Sequence, residues 1–180
     1  MADKTYTTAA VIIPPEEVWE PIQSIRQVHD RAVRRWMPHV TLLYPFRPRE
    51  EFAALAAPLE GACRTIRPFE IELAEFRCFR RGRGNGTMWL APEPAEALRG
   101  MHEALWKVVP DCDDVRRFAN GYTPHLSVGQ AAGTKLKELL DELQAGWTPL
   151  RFRAEGVSLI WRSDPPDDVF RVDRTIVFGG

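Results

Sequence analysis

The chain has 180 residues, of which 44% are hydrophobic and 27% charged, and its formal net charge is −1. These values exclude a disordered tail, a collagen-like repeat and a disulfide scaffold, and they are typical of one soluble, domain-sized protein. A protein that coats long nucleic acids usually carries a strongly positive surface. The near-neutral charge therefore restricts any nucleic-acid partner to an end or a small nucleotide.

The first half of the chain alternates strand patterns with helix patterns. Runs of β-branched and apolar residues predict strands, and apolar residues spaced three and four apart predict helices. In chain order the predicted elements are a strand over 7–13, a helix opening at Glu16 and Glu17, a strand over 39–44, a helix over 49–63 and a strand over 68–80. A glycine-rich turn over 82–86 follows.

The second half repeats this plan. Its predicted elements are a strand over 87–91, a helix over 94–108, a strand over 125–130, a helix capped by Thr134, and closing strands over 150–161 and 169–178. Corresponding elements lie about 80 to 86 positions apart. We therefore predict an α+β fold in a single domain over 1–180, with lobes of about 1–80 and 86–180 related by a pseudo-twofold axis. Antiparallel sheets are expected to line a central cleft, with helices on the outer faces.

The sequence also bears on cofactors and location. The cysteines Cys63, Cys78 and Cys112 match no zinc-binding spacing and are predicted to be reduced thiols, so we expect neither a metal nor another cofactor. No basic segment followed by an apolar one opens the chain, and no apolar run is long enough to span a bilayer. These features predict a cytoplasmic protein without a membrane partner. A monomer is expected.

The sharpest pattern in the sequence is a duplicated motif. Both short strands begin after a proline and read histidine, apolar residue, hydroxyl residue, apolar residue. Residues two apart in a strand point to the same face, so each histidine shares a face with its hydroxyl. The pairs are His39 with Thr41 and His125 with Ser127. One such motif is typical of an ordinary strand histidine, whereas two at matching positions of a duplication indicate a site.

Two histidines and two hydroxyls around one cleft are suited to phosphodiester chemistry. An imidazole titrates near neutral pH, so one histidine can take a proton from the attacking oxygen while the other gives a proton to the leaving oxygen. The hydroxyls can donate hydrogen bonds to phosphoryl oxygens, and no metal is required. We therefore predict His39, His125, Thr41 and Ser127 as catalytic residues, with the acid and base roles unassigned.

The stretch from Met37 to Phe46, together with the two motifs, resembles the 2′,5′-RNA ligase and cyclic phosphodiesterase branch of the 2H phosphoesterase superfamily. The resemblance extends over nearly the whole chain, and its specificity lies in the two motifs. It implies a two-lobed α+β fold and metal-free hydrolysis of 2′,3′-cyclic phosphates, with some members joining or splitting 2′,5′-linked RNA. Ser127 stands where threonine is commoner, which keeps the hydroxyl but leaves its rotamer less restricted.

Aromatic and basic residues near the motifs are candidates for substrate binding, because bases stack on aromatic rings and guanidinium groups bind phosphate. The preferred candidates are Tyr44, Phe46, Tyr122, Arg81 and Arg83. Trp36 and Phe118 also flank the motifs, and Arg31, Arg34 and Arg35 precede the first one. Core packing is the alternative interpretation for each ring, and a solvated loop is the alternative for each arginine.

These patterns predict a metal-independent phosphodiesterase that acts on the 2′,3′-cyclic phosphate of a nucleotide or an RNA end. A reversible RNA 2′,5′-ligase is a second possibility, because the same histidines can act on a ribose hydroxyl in place of water. A non-catalytic nucleotide-binding module is a third, although binding alone needs no matched acid and base. A cyclic phosphate that is not a nucleotide also remains open as substrate.

Overall fold

Two four-stranded antiparallel sheets and four α-helices form the part of the protein that the structure describes, and they confirm the predicted α+β architecture. The computed structural model describes residues 3–80, 82–117 and 121–180, apart from the side chain of Arg83. The strands are β1 (Thr8–Ile12), β2 (Val40–Leu43), β3 (Phe69–Arg80), β4 (Gly86–Glu93), β5 (Leu126–Ala131), β6 (Leu150–Ala154), β7 (Gly156–Trp161) and β8 (Arg171–Val177). The helices are α1 (Trp19–His29), α2 (Phe52–Cys63), α3 (Ala95–Val108) and α4 (Lys135–Gly146).

Local sequence explains where the first two helices begin. A turn of 3-10 helix over Glu16–Val18 follows Pro15 and leads into α1 with two acidic residues, which the positive end of the helix dipole favours. The same arrangement precedes α2, where a turn over Arg49–Glu51 follows Pro48. In both cases the proline ends the preceding extended segment and the acidic turn starts the helix.

The two sheets have equivalent strand orders, β2-β1-β7-β8 in the first and β5-β4-β3-β6 in the second. In this correspondence β2 matches β5 at the edge of each sheet, and β1 matches β4 beside it. Each sheet takes strands from both halves of the chain, because β3 pairs with β4 while β7 and β8 extend the sheet of β1. The sheets therefore do not divide where the halves of the sequence divide, and the lobe boundaries stay a prediction.

The sequence predicts one closing strand over 150–161, and this prediction is wrong. The structure contains two strands there, with β6 paired to β3 in the second sheet and β7 paired to β1 in the first. β6 alternates buried and exposed side chains, whereas the middle of β7 is buried throughout. A Cβ atom on Gly156 would lie 2.6 Å from the carbonyl oxygen of Ile176, so glycine permits the close approach of β8 at the start of β7.

The main core packs the two sheets against the helices, and a smaller cluster covers the other face of the first sheet. β1 is buried along its whole length, with Ala10 and Ile12 in the main core and Ala9 and Val11 in the smaller cluster. Neighbouring residues of a strand point to opposite faces, so the smaller cluster lies away from the main core. Its other members and neighbours are Ile160, Phe170, Ile13, Trp36, Met37 and Tyr44.

Candidate active site

The two motif strands occupy equivalent places in the fold. β2 is the edge strand beside β1, and β5 is the edge strand beside β4. The two edge strands also approach each other, with Cα atoms within 8 Å. In both strands the apolar motif positions are buried, whereas the histidine and hydroxyl positions are half-buried. The half-buried side chains are His39, Thr41, His125 and Ser127.

Each motif strand carries a β-bulge directly after its hydroxyl residue. The neighbouring residues Ala10 and Val11 of β1 pair with Leu43 and Thr41 of β2, so Leu42 is the extra residue. β5 has the same bulge, with Val128 as the extra residue. The bulge shifts the alternation, so the residue five positions after each histidine returns to the histidine face. These residues are Tyr44 and Gln130.

The two imidazoles are held by the same hydrogen bond. Nδ1 of His39 lies 2.8 Å from the carbonyl oxygen of Met37, and Nδ1 of His125 lies 2.8 Å from the carbonyl oxygen of Thr123. A carbonyl oxygen only accepts, so each Nδ1 carries the hydrogen and donates it. Each neutral ring therefore presents the lone pair of Nε2, which is the atom free to take or give a proton.

Burial lowers the pKa of both imidazoles below the ordinary value of 6.5. The pKa of His39 falls to about 4, and loss of hydration is the largest cause. The hydrogen bond to Met37 opposes this fall, whereas the positive charges of Arg26 and His125 add to it. For His125 burial is again the largest cause, opposed by the bond to Thr123. Both rings are therefore neutral at pH 7 in the free protein.

Aromatic side chains hold each imidazole, but in different geometries. The indole of Trp36 stacks on His39 with ring centroids 4.6 Å apart, and Phe170 stacks on Trp36 at 3.8 Å. His125 meets the ring of Phe79 at 4.9 Å in a T-shaped arrangement, and Trp89 lies 6.0 Å away. His39 is thus one layer of a stack, whereas His125 meets its aromatic neighbours at steep angles.

Two side chains from the second half of the chain hold the bulge of β2. The hydroxyl of Tyr122 donates to the carbonyl oxygen of Thr41 at 2.8 Å, and Nδ1–H of His102 donates to the carbonyl oxygen of Leu42 at 2.8 Å. The rings of Tyr122 and His102 stack on each other at 4.2 Å. β2 is an edge strand, so its outer side has no strand whose N–H groups could donate to these carbonyls, and the two side chains donate to them instead.

The predicted stacking roles of Tyr122 and Phe46 are therefore corrected. Tyr122 is 8% exposed, and its ring and hydroxyl are both occupied by contacts inside the protein. Phe46 is fully buried and packs against Phe52 with centroids 5.9 Å apart, so a base has no access to it. Both rings follow the alternative interpretation, which is core packing. Of the three preferred rings Tyr44, Phe46 and Tyr122, Tyr44 is half-buried beside Trp36 and retains an exposed surface.

The predicted arginines of the glycine-rich turn cannot be placed in the site. Arg81 lies outside the described residues, as do Phe118 and the side chain of Arg83. The backbone of the turn forms a short 3-10 segment over Gly82–Gly84, between β3 and β4. The roles of Arg81 and Arg83 in substrate binding therefore stay predictions.

A buried ion pair behind His39 was not predicted from the sequence. Arg26 is 2% exposed and pairs with Asp30 at 2.9 Å, and it also donates to the carbonyl oxygen of Trp36 at 2.9 Å. Asp30 accepts a further hydrogen bond from the side chain of Gln130 at 3.1 Å. This network ties α1 and the segment before β2 to the end of β5. The spacing of four between Arg26 and Asp30 is the only local signal for it.

The hydroxyls of Thr41 and Ser127 have no hydrogen-bond partner among the described residues, so both are free to bind a ligand. The same residues contain no group of three or more His, Cys, Asp or Glu side chains placed to hold a metal ion. No helix within the described ranges is long and apolar enough to cross a membrane.

Comparison with solved structures shows the same fold in several proteins. TT0787 of Thermus thermophilus matches with a TM-score of 0.65 and 21% identity, over 96% of this chain and 98% of that one. Escherichia coli LigT, solved with 3′-AMP, matches with a TM-score of 0.61 and 16% identity, over 99% of this chain and all of LigT (100%).

Comparison of sequences identifies the family. “Putative phosphoesterase GK0864” of Geobacillus kaustophilus is 27% identical over 125 residues, which are 67% of this chain and 66% of that protein. The match thus spans just under two thirds of that relative. The model of the 2′-5′ RNA ligase superfamily matches residues 14–166, which include both histidine motifs. The chain belongs to the 2′-5′ RNA ligase superfamily.

Proposed function

We propose that the protein is a metal-independent phosphodiesterase that hydrolyses the 2′,3′-cyclic phosphate of a nucleotide or an RNA end. The observation that carries the proposal is the matched pair of imidazoles. Each donates Nδ1–H to the carbonyl oxygen two residues earlier, and its Nε2 meets no hydrogen-bond partner in the part of the chain that the structure describes. On the same strand face, each ring is accompanied by a hydroxyl that has no hydrogen-bond partner among the described residues. This pairing suits an acid, a base and two donors to one anionic centre.

The complexes of LigT support a phosphate-containing ligand. LigT has been solved with 3′-AMP and with phosphate. A 3′-phosphate of a nucleoside is one of the two monoesters that opening of a 2′,3′-cyclic phosphate can yield. The fold that this chain shares with LigT therefore supports a ligand of the same chemical class at the proposed site.

In the proposed reaction, Nε2 of one neutral histidine takes a proton from water as the water oxygen forms a bond to phosphorus. The bond from phosphorus to one ribose oxygen breaks, and Nε2–H of the other histidine protonates that oxygen. Thr41 and Ser127 donate hydrogen bonds to the non-bridging oxygens and stabilise their charge. The product is a phosphomonoester, and proton exchange with solvent restores the starting state of the two rings.

The lowered pKa values require the substrate to assist protonation. Both imidazoles are neutral at pH 7 in the free protein, yet the reaction needs one of them protonated. A phosphodiester anion bound between the rings favours the charged form of the nearer histidine and raises its pKa. Binding of the anionic substrate thus supplies the protonated acid while the other ring stays neutral as the base.

The experiment that tests this proposal is ³¹P NMR of the protein with each of the four common nucleoside 2′,3′-cyclic phosphates in excess EDTA. We expect the cyclic-phosphate resonance to be replaced by a phosphomonoester resonance. His39→Ala and His125→Ala should each abolish the change within the time of the measurement. His29→Ala is the matched control, because it removes an imidazole from the end of α1 and should leave turnover intact. Full activity of His125→Ala would contradict the mechanism.

Ligation of RNA is the second candidate, and the description of the family as 2′-5′ RNA ligases favours it. The same residues would act with a ribose hydroxyl as nucleophile in place of water. Incubation of one RNA that ends in a cyclic phosphate with another that begins with a 5′-hydroxyl separates the two reactions. A joined 2′,5′ product indicates ligation, and a monoester end alone indicates hydrolysis.

A further inference from the structure

A groove of about 260 Å³ lies beside the His39 half of the site. It is lined by Arg31, Ala32, Arg34, Arg35 and Gln130. The first four belong to the segment between α1 and β2, whereas Gln130 lies on β5, three residues after Ser127. The side-chain oxygen of Gln130 accepts a hydrogen bond from the backbone N–H of Arg31 at 3.2 Å, which joins the two walls.

The groove carries an excess of positive charge. The buried carboxylate of Asp168 accepts one hydrogen bond from Arg34 at 2.5 Å and one from Arg35 at 2.6 Å. These side chains are nevertheless 64% and 45% exposed, so other N–H groups of both guanidiniums face solvent. Arg31 is exposed and forms no ion pair with any described residue. Three guanidiniums against one carboxylate leave a net charge of about +2, which favours an anion.

The groove is connected to the proposed reaction centre through Trp36. Arg35 directly precedes Trp36, whose ring stacks on His39 at 4.6 Å. The ring of Tyr44 meets Trp36 with centroids 5.3 Å apart, and the positive charge of Arg35 is one of the influences that oppose the burial-driven rise of the Tyr44 pKa. Tyr44 and Gln130 stand at equivalent positions, five residues after their histidines. Gln130, which lines the groove, therefore lies on the same face of β5 as His125 and Ser127.

We infer that this groove binds a second phosphate group of the substrate, so that the preferred substrate is an RNA end and not an isolated nucleoside cyclic phosphate. The inference rests on the proposed function, because it assumes a cyclic phosphate between the two histidines. Guanidinium groups bind phosphate through paired N–H donors, and three of them converge on this groove. An RNA end presents a second phosphate on the 5′ oxygen of its last nucleotide, whereas a mononucleotide lacks it.

The test compares kcat/KM for adenosine 2′,3′-cyclic phosphate with kcat/KM for the same compound carrying a 5′-phosphate. We expect the wild-type protein to prefer the 5′-phosphorylated substrate by about tenfold or more at low salt. The preference should shrink as ionic strength rises, because exposed charges are screened. Equal kcat/KM for the two substrates would overturn the inference.

Arg31→Gln is the variant of choice, since Arg31 has no described ion-pair partner that its loss would leave unpaired. Replacing Arg34 or Arg35 would instead leave a buried carboxylate short of a donor. We expect Arg31→Gln to reduce the preference by several fold. Arg67→Gln is the matched control, because it removes the same charge from an exposed position before β3 and should keep the preference. An unaltered preference in Arg31→Gln would also overturn the inference.

Failure of the proposed function would be recognised separately. If neither compound is turned over, the hydrolysis proposal fails, and calorimetric binding of both compounds to the wild-type and Arg31→Gln proteins then tests the groove alone. Tighter binding of the 5′-phosphorylated compound to wild type, lost in Arg31→Gln, supports the second phosphate site. Equal binding of the two compounds rejects it.

Discussion

The two half-sites share a backbone and differ in their surroundings. Both have the proline-led strand, the bulge after the hydroxyl residue and the 2.8 Å bond from Nδ1 to the carbonyl two residues earlier. His39 stacks on Trp36, whereas His125 meets its aromatic neighbours at steep angles. Burial lowers the pKa of both rings, and the positive charge of Arg26 lowers that of His39 further. The comparison teaches that the two motifs share one backbone geometry, and that neighbouring residues give the two rings different aromatic and charged surroundings.

The largest expected effect tests whether the half-sites are equally necessary. His39→Gln and His125→Gln should each lower kcat by roughly 10²–10⁴-fold, because each removes an acid or a base from the reaction. The kcat of the double variant should be only slightly lower than that of the less active single variant, because the two rings act as a unit. Steady-state kinetics on a cyclic nucleotide measure this. If one single variant keeps full activity, the half-sites are not partners in one reaction.

The next effect concerns the hydroxyls. Thr41→Val and Ser127→Ala should each lower kcat/KM by about 10- to 100-fold, because a hydrogen bond to a charged group contributes about 1.5–3 kcal/mol. Thr41→Ser keeps the hydroxyl and should retain most of the activity. Comparison of kcat/KM for the wild type, Thr41→Val and Thr41→Ser separates the contribution of the Thr41 hydroxyl from that of its side-chain packing. Wild-type kinetics for Thr41→Val would remove that residue from the mechanism.

A third effect tests the support that Tyr122 gives to β2. Tyr122→Phe should lower the free energy of unfolding by about 1–3 kcal/mol, because the carbonyl of Thr41 loses its donor. It should also lower kcat, since the bulge carries Thr41. Urea unfolding measures the stability, and Tyr6→Phe is the control because Tyr6 is 62% exposed. No change of either quantity in Tyr122→Phe would show that the bulge needs no such support.

The pH dependence follows from the direction of the pKa shifts. The base must be neutral and the acid protonated, so kcat/KM is largest between the two pKa values of the free protein. Burial lowers both values below 6.5, and that of His39 to about 4. The expected profile is a bell whose maximum lies below about pH 6.5. A maximum above pH 7 would show that burial does not dominate either ring.

The smallest expected effect measures the coupling between the half-sites. The positive charge of His125 lowers the pKa of His39, so His125→Gln should raise the pKa of His39. NMR titration of the His39 ring protons in both proteins measures the shift. His29→Gln serves as the reference and should leave the His39 titration in place. An unshifted His39 in His125→Gln would mean that the two rings are too far apart to share one phosphate.

Much of the fold follows from local pattern. The strand and helix positions and the burial of Val40 and Leu42 beside half-buried His39 and Thr41 agree with the sequence. Period-two and period-3.6 patterns depend only on residues near in the chain, which is why they can be read without a structure. Where the prediction failed, over 150–161, the chain passes from the second sheet to the first across the single residue Glu155, so no loop-length segment marks the transfer.

The surroundings of the site follow from tertiary packing. Whether an aromatic ring beside a motif stacks on a ligand or joins the core depends on which element covers it, and in the fold Phe46 and Tyr122 are both buried. The basic groove needs residues 31–35 and Gln130, which are about a hundred positions apart and meet only in the fold. The pairing of Arg26 with Asp30 is local, but its burial behind His39 is not.

The sequence by itself determined the chemistry of each half-site, because proline, histidine and a hydroxyl two residues on are positioned by the strand period alone. Only the tertiary structure decided which sheet each closing strand joins and which rings enter the core. It also decided which charges lie beside each imidazole. Burial and charge act through space, and the residues that supply them are distant in the chain.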